Sequence, residues 1–142
     1  MSDYVCAIGG INADVKGVSA GHSEDSHPGK VIVTPGGVAR NLSENLARLG
    51  MNVYLFGCAG DDILGRLVLE TTGKAGVNTE RIIVTRDKRT GIYLSVSDEN
   101  GNLIRALNDM KETSAMIDRE YIEKNLEFIL RSRMIILDTN LE

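Results

Sequence analysis

The sequence predicts an α/β fold in which a mostly parallel sheet is flanked by helices and carries a small β-sheet lid. Short, nearly continuous apolar runs, such as 4–8 and 53–59, are typical of strands buried on both faces of a sheet. Stretches with helical spacing of apolar residues separate these runs, which favours an α/β order. Between 90 and 108, apolar and polar residues alternate around Asn100-Gly101, which predicts a hairpin with one face outside the main core.

Size and composition allow one globular core and favour a small molecule as partner. The chain has 142 residues, of which 42% are hydrophobic and 25% charged, so its composition is not that of a disordered chain. Its net charge of -4, without a run of Lys or Arg, argues against nucleic acid or a membrane surface as partner. Cys6 and Cys58 lie in apolar runs without a C-x-x-C pair, which predicts buried reduced thiols and a cytoplasmic location.

Two polar side chains follow the first predicted strand, which ends in Gly9-Gly10. They are Asn12 and Asp14. Ligands of open α/β sheets bind beyond the carboxyl ends of the strands, so these residues stand where a site is expected. The alternative is that both residues only cap a turn, and spacing alone favours that reading.

The stretch 35–50 predicts a glycine turn that leads into an amphipathic helix. Gly36 and Gly37 let backbone amides approach a ligand without a Cβ in the way. The helix N-terminus behind them adds unsatisfied N–H donors and the positive end of a dipole. Asn41 lies one turn into this helix, where its carboxamide could bond hydroxyl groups. The predicted apolar stripe is Leu42, Leu46 and Leu49, and Gly50 ends the helix.

Further along the chain, local signals place two helices and a last strand. Asp62 is expected to cap a helix from 63 to about 75, a reading preferred over acid–base chemistry for the adjacent carboxylates of Asp61 and Asp62. Asp118 is expected to cap the last helix, and 134–137 is expected to form a further buried strand. The polar loop before residue 30 suggests a metal cluster only superficially, so no metal site is assigned to His22, Glu24, Asp25 and His27.

A family resemblance rests on residues that include this glycine turn. The residues concerned are Gly36, Gly37, Ala39, Asn41, Ser43, Gly50 and Gly60. They fall where the N-terminal signature of the PfkB, or ribokinase-like, carbohydrate and nucleoside kinases has its specified residues, and the chain resembles that family. The strings 27–30 (His-Pro-Gly-Lys), 36–41 (Gly-Gly-Val-Ala-Arg-Asn) and 107–110 (Leu-Asn-Asp-Met) are similar to the branch that phosphorylates pseudouridine.

The resemblance implies transfer of the ATP γ-phosphoryl group to a primary sugar hydroxyl, in that branch the 5′-hydroxyl of pseudouridine, with ATP and Mg²⁺ as cofactors. Asn12, Asp14, Gly36, Gly37 and Asn41 would surround one pocket and hold the sugar. Candidate contacts to the base are Thr90, Tyr93 and Asn108 on the lid, and further contacts are Asp138 and Asn140. No catalytic residue and no metal ligand is assigned, because the resemblance places the catalytic Asp in a later Gly-x-Gly-Asp loop.

The resemblance also sets the expected domain organisation. Residues 1–142 would be the N-terminal part of one ribokinase-like domain, expected to be truncated because no covering helix follows the last predicted strand. The 142 residues are expected to be inactive alone, because the resemblance places the catalytic base and most of the ATP site in the missing half. Lid strands are expected at about 12–18, 30–34, 90–98 and 102–108, and two lids would pair in a homodimer. The alternatives are a ribokinase-, fructokinase- or adenosine-kinase-like enzyme, a non-catalytic nucleoside-binding module, and a pure interaction protein.

Overall fold

The computed structural model describes residues 3–19 and 28–141, which form eight strands and four helices. The residues suggested superficially as a metal cluster, His22, Glu24, Asp25 and His27, lie outside this described part. The elements in chain order are β1 (Val5–Ile8), β2 (Asn12–Ser19), β3 (Gly29–Gly36), α1 (Val38–Arg48), β4 (Val53–Gly60), α2 (Ile63–Lys74), β5 (Ile82–Thr85), β6 (Gly91–Ser97), β7 (Leu103–Asp109), α3 (Lys111–Ser114), α4 (Arg119–Arg131) and β8 (Met134–Leu137).

The main sheet has the order β5-β4-β1-β8, and every neighbouring pair in it is parallel. This arrangement confirms the predicted α/β fold with a parallel sheet. Strand β5 was not predicted from the sequence. Its pairing with β4 extends the sheet by one strand.

Helices cover both faces of this sheet, as the alternation along β1 shows. Val5 and Ala7 belong to a core that also contains Ala39 of α1 and Val68 of α2. Cys6 and Ile8 belong to a second core, on the opposite face, with Ile129 of α4. The completely apolar β1 is therefore the middle of a three-layer arrangement.

The two cysteines are buried free thiols, as expected from their apolar surroundings. Burial raises the pKa of the Cys58 thiol to about 11. That value keeps the sulfur protonated and unreactive at neutral pH.

The second sheet, which we call the lid sheet, has the order β3-β2-β6-β7. Strand β2 pairs antiparallel with β3 and parallel with β6, and β6 pairs antiparallel with β7. The hairpin between β6 and β7 turns at Gly101, whose φ of +83° requires a residue without a Cβ. Because only Gly9, Gly10 and Ile11 separate β1 from β2, the chain passes directly from the main sheet into the lid sheet.

The register of the lid sheet separates a polar face from an apolar one. Asp14 pairs with Tyr93, and Tyr93 pairs with Asn108, so their side chains lie in one row on one face. The opposite face, which we call the apolar lid face, carries six apolar side chains, together with Arg105 and Asp109; the six are Val15, Val31, Val33, Leu94, Val96 and Leu107. Four of these six side chains, those of Val31, Val33, Leu94 and Leu107, are exposed.

The apolar stripe predicted for α1 is only partly right. Leu46 packs against the core, but Leu42 and Leu49 are exposed, Leu49 by 78%. The face that turns inward instead carries Ala39 and Ser43. Gly37, directly before α1, lies against the backbone of the β1–β2 connection, where a Cβ would collide with Gly10.

Strand β8 pairs with β1 as a parallel neighbour, but the prediction that it is buried is wrong. Met134, Ile135 and Leu137 are exposed, Leu137 by 63%. Within the described residues β8 is an edge strand with one neighbour, and a strand of that composition is normally covered.

Both predicted helix caps are present. The Asp62 carboxylate accepts a hydrogen bond from the Gly65 amide at 2.7 Å, and Asp118 accepts one from the Tyr121 amide at 2.8 Å. The helices they start end at Lys74 and Arg131. None of the helices in the described part is both long and apolar enough to cross a membrane.

The hydrogen bonds accepted by the Asp62 carboxylate can be tested through the pH dependence of stability. Partial burial would raise the pKa of this carboxyl, but hydrogen bonds from Thr90 and Gly65 outweigh that effect and lower the pKa below its usual value. A lowered pKa in the folded state means that the carboxylate stabilises the fold above pH ~4 and that this contribution is lost as the pH falls through the folded value. Asp62→Ala should therefore lower the free energy of unfolding by about 1–2 kcal/mol at pH 7, with a smaller difference below pH ~3.

The measurement is urea unfolding followed by circular dichroism between acidic and neutral pH. Asp87→Ala, which removes the side chain of an exposed residue, is the control and should shift the unfolding free energy by less than about 0.5 kcal/mol. A difference between Asp62→Ala and the parent protein that is constant at every pH would contradict this account.

Candidate ligand-binding site

A polar pair at the start of β2 lies directly against the glycine turn before α1. The Asn12 amide donates from Nδ2 to Asp14 Oδ1 at 2.7 Å, and Asn12 is only 2% exposed. Gly36 pairs with Asn12 in the lid sheet, and a Cβ at position 36 would lie 2.2 Å from Asp14 Oδ1. The glycine therefore leaves the space that the Asn12–Asp14 pair occupies.

Gly37 brings the start of α1 close to the β1–β2 connection. Its φ is +105°, and a Cβ there would lie 2.2 Å from the carbonyl oxygen of Gly10. Both the conformation and the close approach require glycine. The structure thus brings Asn12, Asp14, Gly36 and Gly37 together, and places Asn41 one helical turn farther along α1.

Asp138, which follows β8, ties this region together from a distant part of the chain. Its Oδ2 accepts hydrogen bonds from the backbone amides of Gly10 and Ala39, both at 2.8 Å, and its Oδ1 accepts one from Asn140 at 2.8 Å. The carboxylate is largely buried. It therefore joins the β1–β2 connection, the first turn of α1 and the segment after β8.

The carboxylate of Asp138 also caps the N-terminus of α1. Gly37, at the N-cap position of α1, has no side chain to accept from the helix amides, and the first turn carries no acidic residue. The negative charge of Asp138 beside the Ala39 amide is favourable at the positive end of the helix dipole. From the sequence, Asp138 is expected as a ligand contact; in the structure both of its oxygens accept backbone hydrogen bonds.

Asn41 is exposed on α1, and its side-chain oxygen is already bonded within the protein. Arg40 Nη1 donates to Asn41 Oδ1 at 3.0 Å, and Arg40 Nε donates to Thr72 Oγ1 of α2 at 2.9 Å. Arg40 also forms an ion pair with Glu44. The sequence alone does not assign a role to Arg40. A charged residue next to Ala39 and three residues before Ser43, on the buried side of α1, was a signal that it has one.

The lid contributes a row of polar groups beside this pair. The row runs Thr34, Asp14, Tyr93 and Asn108 across β3, β2, β6 and β7. Lys16, on the same face of β2, lies 3.4 Å from Asp14 Oδ2. Two residues proposed from the sequence as base contacts, Tyr93 and Asn108, therefore share a face of the lid sheet with Asp14.

A cleft of about 270 Å³ lies between the end of β7 and the segment after β8. Asn108 lines it from the lid sheet, and Asn140 lines it from the segment after β8. The remaining lining residues are Met110, Lys111, Ser114, Thr139 and Leu141. Two carboxamides, each able to donate and to accept, thus border one opening.

Thr90 has a different position from the other lid candidates. It is 3% exposed, its backbone amide donates to Asp62 Oδ2 at 2.8 Å, and its hydroxyl donates to Asp62 Oδ1 at 2.8 Å. The Gly60 amide in turn donates to the Thr90 hydroxyl at 3.0 Å. Thr90 thus joins the start of α2 to the lid sheet, and its polar groups are engaged there.

The described residues contain no group of three or more His, Cys, Asp or Glu side chains that could hold a metal ion. Asp61 and Asp62 do not act as a pair, because Asp62 caps α2 and Asp61 forms ion pairs with Arg66 and Arg86. The residues around the glycine turn therefore offer backbone amides, carboxamides and the partly exposed carboxylate of Asp14.

Comparison with known proteins decides the family. The model of the pfkB family of carbohydrate kinases matches residues 2–141. The chain belongs to the pfkB carbohydrate kinase family. Within this pfkB chain, Gly36, Gly37 and Asn41, on which the resemblance rested, lie in the turn and helix described above.

Relatives of this pfkB chain include proteins named for nucleosides. Pseudouridine kinase of Escherichia coli strain K12 is 40% identical over 141 residues, which are 98% of this chain and 45% of the relative. Guanosine-inosine kinase of Exiguobacterium acetylicum is 29% identical, covering 94% of this chain and 42% of the relative. The chain thus spans less than half the length of these relatives.

Two solved structures of similar shape carry names of kinases. A carbohydrate kinase from Agrobacterium tumefaciens superposes with a TM-score of 0.87 at 28% identity, covering 99% of this chain and 46% of that one. A ribokinase from Arabidopsis thaliana, solved with ribose and ATP, has a TM-score of 0.85 at 18% identity and covers 100% of this chain and 47% of that one. The second likeness shows the ribokinase-like fold.

The tether at Asp138 can be tested by stability. Asp138→Ala leaves the buried amides of Gly10 and Ala39 without an acceptor, and we expect it to lower the free energy of unfolding by about 2–5 kcal/mol. Chemical denaturation followed by circular dichroism measures this. Asp3→Ala, which removes a 95% exposed carboxylate, should change the unfolding free energy by less than about 0.5 kcal/mol. Equal effects of the two substitutions would show that Asp138 is not a tether.

Proposed function

We propose that this chain supplies the substrate-binding part of an ATP-dependent kinase that phosphorylates pseudouridine on its 5′-hydroxyl to give pseudouridine 5′-phosphate. The observation that carries the proposal is the Asn12–Asp14 pair lying against Gly36, at the end of β3 and just before α1. The similarity to a pseudouridine kinase over 98% of the chain supports the choice of substrate.

Asn12 and Asp14 are suited to hold a ribose. Asp14 is an acceptor when ionised, so sugar hydroxyl groups can donate to it in charge-assisted hydrogen bonds. The Asn12 amide fixes one carboxylate oxygen, and Lys16 lies near the other, which orients the group before a sugar arrives. The amides of the Gly36-Gly37 turn and the Asn41 carboxamide would complete the ring of contacts.

The lid residues and the cleft are suited to a base. Pseudouridine carries a uracil ring with two N–H donors and two carbonyl acceptors, which is the pattern that carboxamides can match. Tyr93 and Asn108 stand in the row beside Asp14, and Asn140 faces Asn108 across the cleft. We propose Tyr93 as an aromatic contact to the ring, and Asn108 and Asn140 as hydrogen-bonding partners. Thr90 and Asp138 would not contact the base directly but would hold the surrounding backbone in place through their hydrogen bonds to Asp62, Gly10 and Ala39.

Phosphoryl transfer asks a protein chiefly for positioning and for stabilisation of charge, with a carboxylate to take the hydroxyl proton. The described residues provide positioning. We propose that ATP, Mg²⁺ and the catalytic Asp depend on sequence outside these 142 residues, and that these residues alone bind substrate without transferring phosphate. We assign no residue of this part to Mg²⁺, since no carboxylate cluster fits it. The buried free thiols support a reducing, cytoplasmic location.

Other functions remain as specific alternatives. The guanosine-inosine kinase relative supports a purine nucleoside, and a ribokinase or fructokinase activity would use the same Asn12–Asp14 pair. A non-catalytic nucleoside-binding module would bind without transfer. A pure interaction protein would bind no nucleoside at all.

We also propose that two copies pair through the apolar lid face. Val31, Val33, Leu94 and Leu107 are exposed side by side there, and contiguous exposed apolar surface marks interaction sites. Among the described residues, β3 and β7 are open edges of the lid sheet, which invites pairing with a second sheet. A second copy presents the same face and satisfies a two-fold axis.

The substrate proposal is tested with the full-length protein. Pseudouridine should give a higher kcat/KM than uridine or free ribose, measured by coupled ATP turnover. Asp14→Asn keeps the size of the side chain but removes its charge, so kcat/KM for pseudouridine should fall about ten- to a hundredfold.

Asp109→Asn is the matched control. Asp109 neighbours Asn108 on β7, so its side chain lies on the opposite face of the lid sheet, and we expect a change of less than about twofold. Phosphorylation of free ribose as efficient as that of pseudouridine would remove the pseudouridine assignment. Equal losses in the two variants would remove Asp14 from the site.

The dimer proposal is tested by light scattering after gel filtration over a range of concentrations. Leu94→Asp places a charge in the middle of the apolar lid face and should convert the dimer to a monomer. Leu49→Asp, at an exposed position at the end of α1, is the control and should leave the dimer intact. A full-length parent protein that is monomeric throughout would contradict the proposal.

A further inference from the structure

Arg40 is a buried cation placed next to a residue of the proposed sugar site. It is 4% exposed, and each of its three guanidinium nitrogens lies against a polar side chain. Nε donates to Thr72 Oγ1 at 2.9 Å, Nη1 donates to Asn41 Oδ1 at 3.0 Å, and Nη2 pairs with Glu44. The three partners hold the planar group in one orientation.

The surrounding groups leave Thr72 and Glu44 able to accept from Arg40. The Thr72 hydroxyl donates to the Val68 carbonyl at 2.6 Å, so its oxygen is left to accept from Arg40. The hydrogen bond from Arg48, opposed by desolvation, and then the charge of Arg40 keep the pKa of Glu44 below its usual value. Glu44 is therefore ionised at neutral pH and can pair with Arg40 and Arg48 together.

The chemistry of the guanidinium settles the orientation of the Asn41 amide. Arginine has N–H donors and no acceptor, so the Asn41 atom that faces it must be the carbonyl oxygen. The Nδ2 amide group then points away from Arg40, on an exposed side chain one turn from Gly37. Without Arg40, the carboxamide could present either its oxygen or its nitrogen to a ligand.

Stability alone does not explain a buried arginine here. A buried ion pair can often be replaced by apolar side chains of similar size without loss of stability. α1 already packs against the core through Ala39 and Leu46. The charged group between α1 and α2 therefore suggests that the orientation of a neighbouring side chain has to be fixed.

We propose that Arg40 is a positioning residue that locks the Asn41 carboxamide so that Nδ2 donates to a hydroxyl oxygen of the sugar. The inference rests on the proposed function and deepens it. It assigns Asn41 the role of hydrogen-bond donor and Asp14 that of acceptor, so the two ends of the sugar site have opposite polarity. A sugar bound between them must offer a lone pair to Asn41 and a hydroxyl proton to Asp14.

The test is a double-mutant cycle in the full-length protein, with pseudouridine binding measured by titration calorimetry. Arg40→Met keeps the length of the side chain and removes its donors, and it should raise Kd about five- to tenfold. Asn41→Ala should raise Kd about tenfold. In the Asn41→Ala background, Arg40→Met should have less than about a twofold effect, because it acts through Asn41.

Thr72→Val is the matched control. It removes the other hydrogen bond of the same guanidinium without touching Asn41, so it should reduce thermal stability and change Kd by less than about twofold. If Arg40→Met weakens binding equally with and without Asn41, or does not weaken it, the positioning role is overturned while the kinase proposal stands. If the parent protein binds neither pseudouridine nor ribose, the proposed function fails instead.

A second measurement needs no ligand. The NMR order parameter of the Asn41 side-chain amide should be high in the parent protein, about 0.8, and should fall below about 0.6 in Arg40→Met. Thr72→Val should leave it near the parent value. Equal order parameters in the parent protein and Arg40→Met would overturn the proposal, whatever the protein binds.

Discussion

The carboxylate of Asp138 is the interaction on which the rest of this structure depends. One of its oxygens accepts from Gly10, where the chain leaves the main sheet for the lid, and from Ala39, in the first turn of α1. Because α1 has no side-chain cap of its own, this distant residue completes the helix end. The glycine turn, the start of β2 and the end of β8 are thereby held at one edge of the main sheet.

The two sheets have different roles in forming the site. The main sheet is apolar on both faces and gives rigidity, while the lid sheet has one polar and one apolar face. The polar row that includes Asp14 crosses the lid sheet near the start of β2, close to the main sheet. The candidate site therefore lies at the junction of the main sheet and the lid sheet. This placement explains why Gly36 and Gly37 are needed, since larger residues would collide with Asp14 or with Gly10.

Features governed by neighbours in sequence could be predicted well. Asp62 and Asp118 cap the helices that begin one residue later, and the hairpin turns around Asn100-Gly101, because such signals act over a few residues. Periodicity was less reliable for α1 and β8. Leu49 and Leu137 read as core residues, yet both are exposed, because burial depends on what packs on an element as well as on its own pattern.

By itself, the sequence determined the α/β class, the family resemblance, and the residue types that a sugar site would need. Only the tertiary structure decided which of these residues meet. It joined Asp138 to Gly10 and Ala39, engaged Thr90 with Asp62, and directed Arg40 toward Asn41 and Thr72. The physical reason is that hydrogen-bonding capacity belongs to a residue type, whereas the partner that satisfies it is set by chain segments that approach only after folding.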